Sequence, residues 1–123
     1  MFGFTFLTVY YRRVNQIYSN PEDKMFTPKN DKPILNDVDV ERVRRNHLND
    51  IENIIPFIFV GFFYVCVNPT YSAALWHFRA FFFSRLMHFI SYQCQLQPFR
   101  GLSFLVGFAT TISMLWTVIR ATL

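Results

Sequence analysis

Three groups of side chains in this sequence have the types and spacing to do chemistry. Between Glu41 and Glu52, read at about 100° per residue, Glu41, Arg42, Arg45, Asn49 and Glu52 fall within one sector of a helix. Arg85, His88 and Tyr92 stand at i, i+3 and i+7 and share a face of a second helix, and Arg100 follows beyond a short turn. Arginines gathered near one end of a set of helices suit a small anion. Other site types are set aside by the spacing. The three histidines and two cysteines do not form a metal-ligand pattern, no glycine-rich phosphate loop is present, and no serine stands in a nucleophile elbow.

The elements that must position these groups are unusual. The run from Val40 to Val67 is polar in its first half and carries no charge after Glu52. A helix with a charged stripe at one end and apolar residues all round at the other fits neither a soluble amphipathic helix nor a simple membrane span. It reads as a membrane helix with a polar pocket, or as a span whose charges are only its solvated extension. Glu52 favours the pocket, because an ionised carboxylate at the edge of an apolar run must be paired or lose its charge. Asp39 is the expected N-cap of this helix, Pro56 the expected kink, and Asn68 with Pro69 its end.

Tyr71 to Tyr92 forms a further helix, apolar on most sides, with His77, Arg79, Arg85 and His88 along it. Arg79 lies near its start and is read as snorkelling to the interface; His77 is read as an interfacial histidine. Arg85 sits mid-span, so it should face inward and meet an acid, for which Glu52 is the candidate. Gly101 to Ile119 is an uncharged stretch between Arg100 and Arg120, long enough to cross a bilayer; its Thr110, Thr111 and Ser113 can bond back to helix carbonyls. Met1 to Tyr11 is apolar but spans only about half of a ~30 Å hydrocarbon core and has no signal-peptide pattern. The reading is a single all-α transmembrane domain over 1–123, a four-helix bundle with helices at about 1–18, 40–67, 71–93 and 99–121 and a loop at about 19–39.

Composition agrees with a membrane setting. Sixteen phenylalanines in 123 residues exceed what a small soluble core can bury, so the surplus should face lipid or neighbouring subunits. The net charge of +4 comes from basic residues mixed with acids, which argues against nucleic acid as a partner. Eight of the twelve Lys and Arg fall between Arg12 and Arg45, so the first connection should be cytosolic. Cys66 and Cys94 then lie on opposite sides of the bilayer, and no disulfide within the chain is expected.

The run ERVRRNHLNDIENIIPF (Glu41 to Phe57) resembles the signature of the MAPEG family, the membrane-associated proteins of eicosanoid and glutathione metabolism. NPED (Asn20 to Asp23), RLMHFISY (Arg85 to Tyr92) and RGLSFLVGF (Arg100 to Phe108) agree with it in type and order, so the resemblance covers nearly the whole chain. Apolar Leu48 is similar to the glutathione-transferring branch, whereas the prostaglandin-synthesising branch has an arginine there. By the same resemblance Met1 to Tyr11 matches the second half of the family's first membrane helix, which is read as truncated in this chain.

The resemblance implies a membrane glutathione transferase that joins glutathione to lipophilic electrophiles, with peroxidase activity on lipid hydroperoxides. It implies Arg100 near the sulfur with Asp23 orienting it, Tyr92 as a catalytic hydroxyl, and Arg12, Arg45, Asn49, Glu52 and His88 as glutathione contacts or their supports. Glu52 would take the ammonium, Arg12 a carboxylate, and Arg85 a structural role. It further implies a homotrimer with ligand between subunits, no metal, and residence in the endoplasmic reticulum, with the mitochondrial outer membrane a second location. Three departures from the family pattern stand out. Lys24 replaces a cysteine after NPED, Gly101 and Phe104 replace hydroxyl residues of the prostaglandin branch, and the turn from Tyr92 to Arg100 is one residue shorter. The short first helix and that turn sustain an alternative, a non-catalytic lipid-binding or scaffold protein of the same fold; a prostaglandin E synthase-like isomerase is the third reading.

Overall fold

The computed structural model describes residues 2–18, 20, 22 and 37–123. Among them are four α-helices and no strand: α1 Phe2–Val14, α2 Val38–Cys66, α3 Tyr71–Gln93 and α4 Gln97–Thr122. Two compact units divide inside α2, one up to Leu48 and one from Asn49 onward. The α2 and α4 helices are long and apolar enough to cross a membrane. Asp23, and the expected loop as far as Asn36 apart from residues 20 and 22, lie outside the described residues.

In the first unit, α1 ends at Val14, where an end near Tyr18 was the expectation. The chain turns out of the helix at Gln16, which adopts φ 52°, while the Ile17 amide reaches back to the Arg12 carbonyl at 3.0 Å and the Gln16 amide to that of Arg13 at 3.3 Å. This pair of bonds closes the last carbonyls of the helix in a left-handed cap. The start of α2 departs from the sequence reading as well. Asp37, not Asp39, is the N-cap: its Oδ1 accepts from the amides of Asp39 at 3.1 Å and Val40 at 3.0 Å. Asp39 is a residue of the first turn and pairs with Arg42 at 2.7 Å. Asn15 Nδ2 donates to both Asp37 oxygens at 3.1 Å, which fastens the end of α1 to the cap of α2. Further along, Phe4 stacks on the His47 ring with centroids 5.1 Å apart.

The second unit holds the rest of α2 with α3 and α4. Its core is Phe57, Tyr64, Phe81 and Met114, with Phe57 and Phe81 stacked at 3.6 Å and nearly parallel. Asn68, at φ 57°, ends α2 before Pro69, since asparagine tolerates the left-handed conformation and proline cannot continue the helix. The turn from α3 to α4 occupies only Cys94, Gln95 and Leu96. Gln95 takes φ 61°, and the amides of Leu96 and Gln95 close on the carbonyls of Ser91 at 2.9 Å and Tyr92 at 3.4 Å. Tight packing of the two helices follows lower down, where a Cβ on Gly107 would stand 2.7 Å from Ser84 Oγ. Phe59, Phe62, Phe63, Phe82, Phe83, Phe99 and Phe108 are more than half exposed. Such an apolar exterior is what hydrocarbon, not water, accommodates.

If Asp37 is the cap, Asp37→Ala should cost about 1 kcal/mol of stability, and Asp37→Asn only a fraction of that. Thermal unfolding in detergent measures both; a larger loss for Asp39→Ala than for Asp37→Ala would return the cap to Asp39.

Candidate functional site

Position 85 places a guanidinium in the middle of an apolar helix, and the fold answers it from α2. Arg85 and Asp50 are both buried, and Arg85 Nε donates to Asp50 Oδ1 at 3.0 Å with Nη2 on the same oxygen. Nη2 also donates to Asn49 Oδ1 at 2.8 Å. The expected partner was Glu52, and that expectation is overturned: Glu52 is exposed. The reason is angular. Asp50 stands seven and fourteen residues before Phe57 and Tyr64, on the stripe of α2 that faces the core, whereas Glu52 lies about 200° round the helix from it.

Arg85 in turn fixes Asn49. With its carbonyl oxygen held by the guanidinium, the Asn49 amide nitrogen is left to donate, and the orientation of the group is set. Arg85 Nη1 is buried without a hydrogen-bond partner. One turn along α3, His88 is buried and its Nδ1 donates to the Arg100 carbonyl at 3.2 Å. That bond places the proton on Nδ1 and leaves Nε2, also buried and without a partner, as an acceptor. Beyond it, the Arg100 guanidinium lies over the Tyr92 ring at 4.9 Å, and His88 and Tyr92 have ring centroids 5.8 Å apart. Ser103 Oγ lies 2.8 Å from the Phe99 carbonyl and 3.0 Å from that of Arg100, and its one proton is shared between these two carbonyls of the first turn of α4.

His88, Tyr92 and Arg100 are therefore brought together near the α3–α4 turn, while Asn49 and Arg85 meet one to two turns further along α3. Gln93 joins them as a residue that sequence reading did not single out, with both atoms of its amide buried and unpartnered. A buried polar group left without a partner costs about 1–3 kcal/mol, and several in one cluster mark a surface shaped for a ligand. Among the described residues Arg100 has no carboxylate partner; its guanidinium lies over the Tyr92 ring. Arg12 and Arg45 belong to the first unit. Arg12 is half-buried with Nε unpartnered, and Arg45 is exposed with Nε on the Glu41 carbonyl at 3.2 Å. Among the described residues no three His, Cys, Asp or Glu side chains group as metal ligands, and Cys66 and Cys94 are free.

At the other end of the second unit His77 is not the simple interfacial residue expected. Its Nδ1 donates to the Ala73 carbonyl at 2.7 Å and lies 3.2 Å from Tyr64 Oη, while Nε2 meets Ser113 Oγ at 3.0 Å. Ser113 is thereby occupied across the helix pair, while Thr110 and Thr111 bond back to their own helix.

The sequence profile of the MAPEG family matches residues 1–120. Microsomal glutathione S-transferase 1 of Mus musculus is 44% identical over 120 residues, 94% of this chain and 77% of that protein. The Homo sapiens protein of the same name is 43% identical with the same coverage. Prostaglandin E synthase of Bos taurus is 35% identical over 115 residues, 93% of this chain and 74% of that protein.

Removing the carboxylate from the buried pair should be severe. Asp50→Ala leaves an uncompensated guanidinium and should cost about 3–5 kcal/mol, while Glu52→Gln should stay within about 0.5 kcal/mol of the parent. Thermal unfolding in detergent distinguishes them, and equal losses would mean that Glu52 shares the pairing.

Proposed function

The chain belongs to the MAPEG family, and we propose that it is a membrane glutathione S-transferase that joins the glutathione thiolate to lipophilic electrophiles. The observation that carries this reading is the Arg100 guanidinium lying over the Tyr92 ring at 4.9 Å, on a backbone whose carbonyl is held by the buried His88 at 3.2 Å. Identity of 41–44% to several microsomal glutathione S-transferases supports it.

A thiol with a pKa of ~8.5 is mostly protonated at neutral pH, and the thiolate is the nucleophile. Arg100 stabilises the thiolate by charge, at little reorganisation cost because its backbone is fixed by His88. Lowering the thiol pKa by two units requires about 2.7 kcal/mol of differential interaction. The Tyr92 hydroxyl serves as a second donor to the sulfur. Asn49, oriented by Arg85, donates to the peptide; Glu52 takes the ammonium; Arg12 and Arg45 hold carboxylates; and Asp23 orients Arg100. In conjugation the sulfur forms a bond to the electrophilic carbon, and the leaving group departs with the electron pair or the adduct takes up a proton. In the peroxidase reaction two glutathiones reduce one lipid hydroperoxide to the alcohol and water and are oxidised to their disulfide.

The protein is an integral membrane protein of the endoplasmic reticulum in this reading, with its first connection cytosolic, and it works as a homotrimer with glutathione between subunits. The related prostaglandin E synthase gives a second reading within the enzyme class. Gly101 and Phe104 oppose it, because they offer no hydroxyl where that branch has one.

Titration of detergent-purified protein with glutathione, followed by ultraviolet absorbance of the thiolate, tests the proposal. Thiolate should form in the parent and fall at least tenfold in Arg100→Ala, with binding itself weakened less. No thiolate in the intact trimer would remove the enzyme and leave the lipid-binding alternative.

A further inference from the structure

We propose that a furrow between α3 and α4 holds one acyl chain of an anionic membrane lipid, with the headgroup charge on Arg120. Two cavities open along this helix pair, of about 430 Å³ and 340 Å³, and both are bordered by Ala80 and Val106, so they adjoin. One reaches Trp76 and Ser113, the other Met87. From Trp76 to Met87 is about 16 Å of helix, roughly half of the hydrocarbon thickness and the depth of a single leaflet. Small side chains at Ala80 and Ala109 leave the space, and the polar side chains on the walls, His77, Thr110, Ser113, Ser84 and Ser103, are hydrogen-bonded within the helix pair. The His77–Ser113 bond at 3.0 Å ties the two helices together beside the furrow, so its width is fixed.

The charge argues for the occupant. From Asn49 onward the only acidic side chains are Asp50 and Glu52, both in the first turn of that unit's share of α2, so the charged side chains at the opposite end of the helix pair, Arg79 and Arg120, are both cationic. Arg120 stands seven residues after Ser113 and so shares its face of α4. Its guanidinium lies 5.3 Å from the Trp116 ring and makes no ion pair among the described residues. A cation on an aromatic shelf, two helical turns beyond a cavity-lining residue, is complementary to a lipid whose chain occupies that cavity. Arg79 is the internal contrast. It is at the same end of α3 but lies about 200° round the helix from His77, away from the furrow.

The two tryptophans of the chain, Trp76 and Trp116, both flank this end, so their fluorescence reports occupancy directly. The full chain is reconstituted in zwitterionic bilayers, and brominated-chain phosphatidylcholine or phosphatidylserine is titrated in at low salt. The anionic lipid should be preferred by about fivefold, the contribution of one arginine near a membrane surface. In Arg120→Gln the preference should fall to near one, and in Arg79→Gln it should persist. Ala109→Phe, which fills the furrow from an exposed position, should also abolish it with Arg120 intact. Three results would overturn the proposal: no anionic preference in the parent, equal losses in Arg79→Gln and Arg120→Gln, or an unchanged preference in Ala109→Phe. Thermal unfolding of each variant in detergent verifies folding, and the lipid preference does not depend on whether the enzyme is active.

Discussion

A guanidinium in the middle of an apolar helix must be matched by an acid, and the Arg85–Asp50 pair is the constraint on which the second unit rests. In hydrocarbon neither charge can be left alone, so α2 and α3 are obliged to present those two positions to each other. Such a pair is not an obvious source of stability, since desolvation cancels much of the attraction. Its consequence is register. Once Asp50 faces Arg85, Phe57 lands on Phe81 and Tyr64 on His77, and the aromatic core is in place.

The same pair supplies the site. Arg85 spends Nε and Nη2 on Asp50 and Asn49, which fixes the Asn49 amide, and its helix carries His88 and Tyr92 toward the turn. The three-residue connection after Gln93 then folds α4 back so that Arg100 covers Tyr92. The Arg100 carbonyl, not its side chain, is what His88 holds. The guanidinium stacks on Tyr92 while the backbone beneath it is fixed, which is the kind of preorganisation that the proposed thiolate stabilisation requires.

Much of this was legible before any coordinates. Arg85 announced that it needed an acid, and the motif around Asn49 announced the helix that would provide it. The identity of the acid was not legible, because Asp50 and Glu52 both border the apolar run and the residues after them are apolar on every side of α2. The charged sector with Glu41, Arg45 and Glu52 reads as a pocket or as a solvated face, and helical period alone cannot say which stripe is buried. The cap went wrong for a similar reason: Asp37 and Asp39 are both good caps, and their choice depends on Asn15, twenty-two residues before the first of them. His77 and Ser113 each had a sufficient local explanation, and only the packing of α3 on α4 brought them within bonding distance.

What the sequence determined by itself is the class of protein: helices whose length, apolar content and phenylalanine surplus demand a membrane, with polar positions too costly to be accidental. These follow from local propensity and from the free energy of burying each residue, and they need no partner to be read. Tertiary structure decided which polar group meets which. Pairing in an apolar medium is a matter of angle and depth between helices, to which residues far apart in the chain contribute equally, and no local pattern records it.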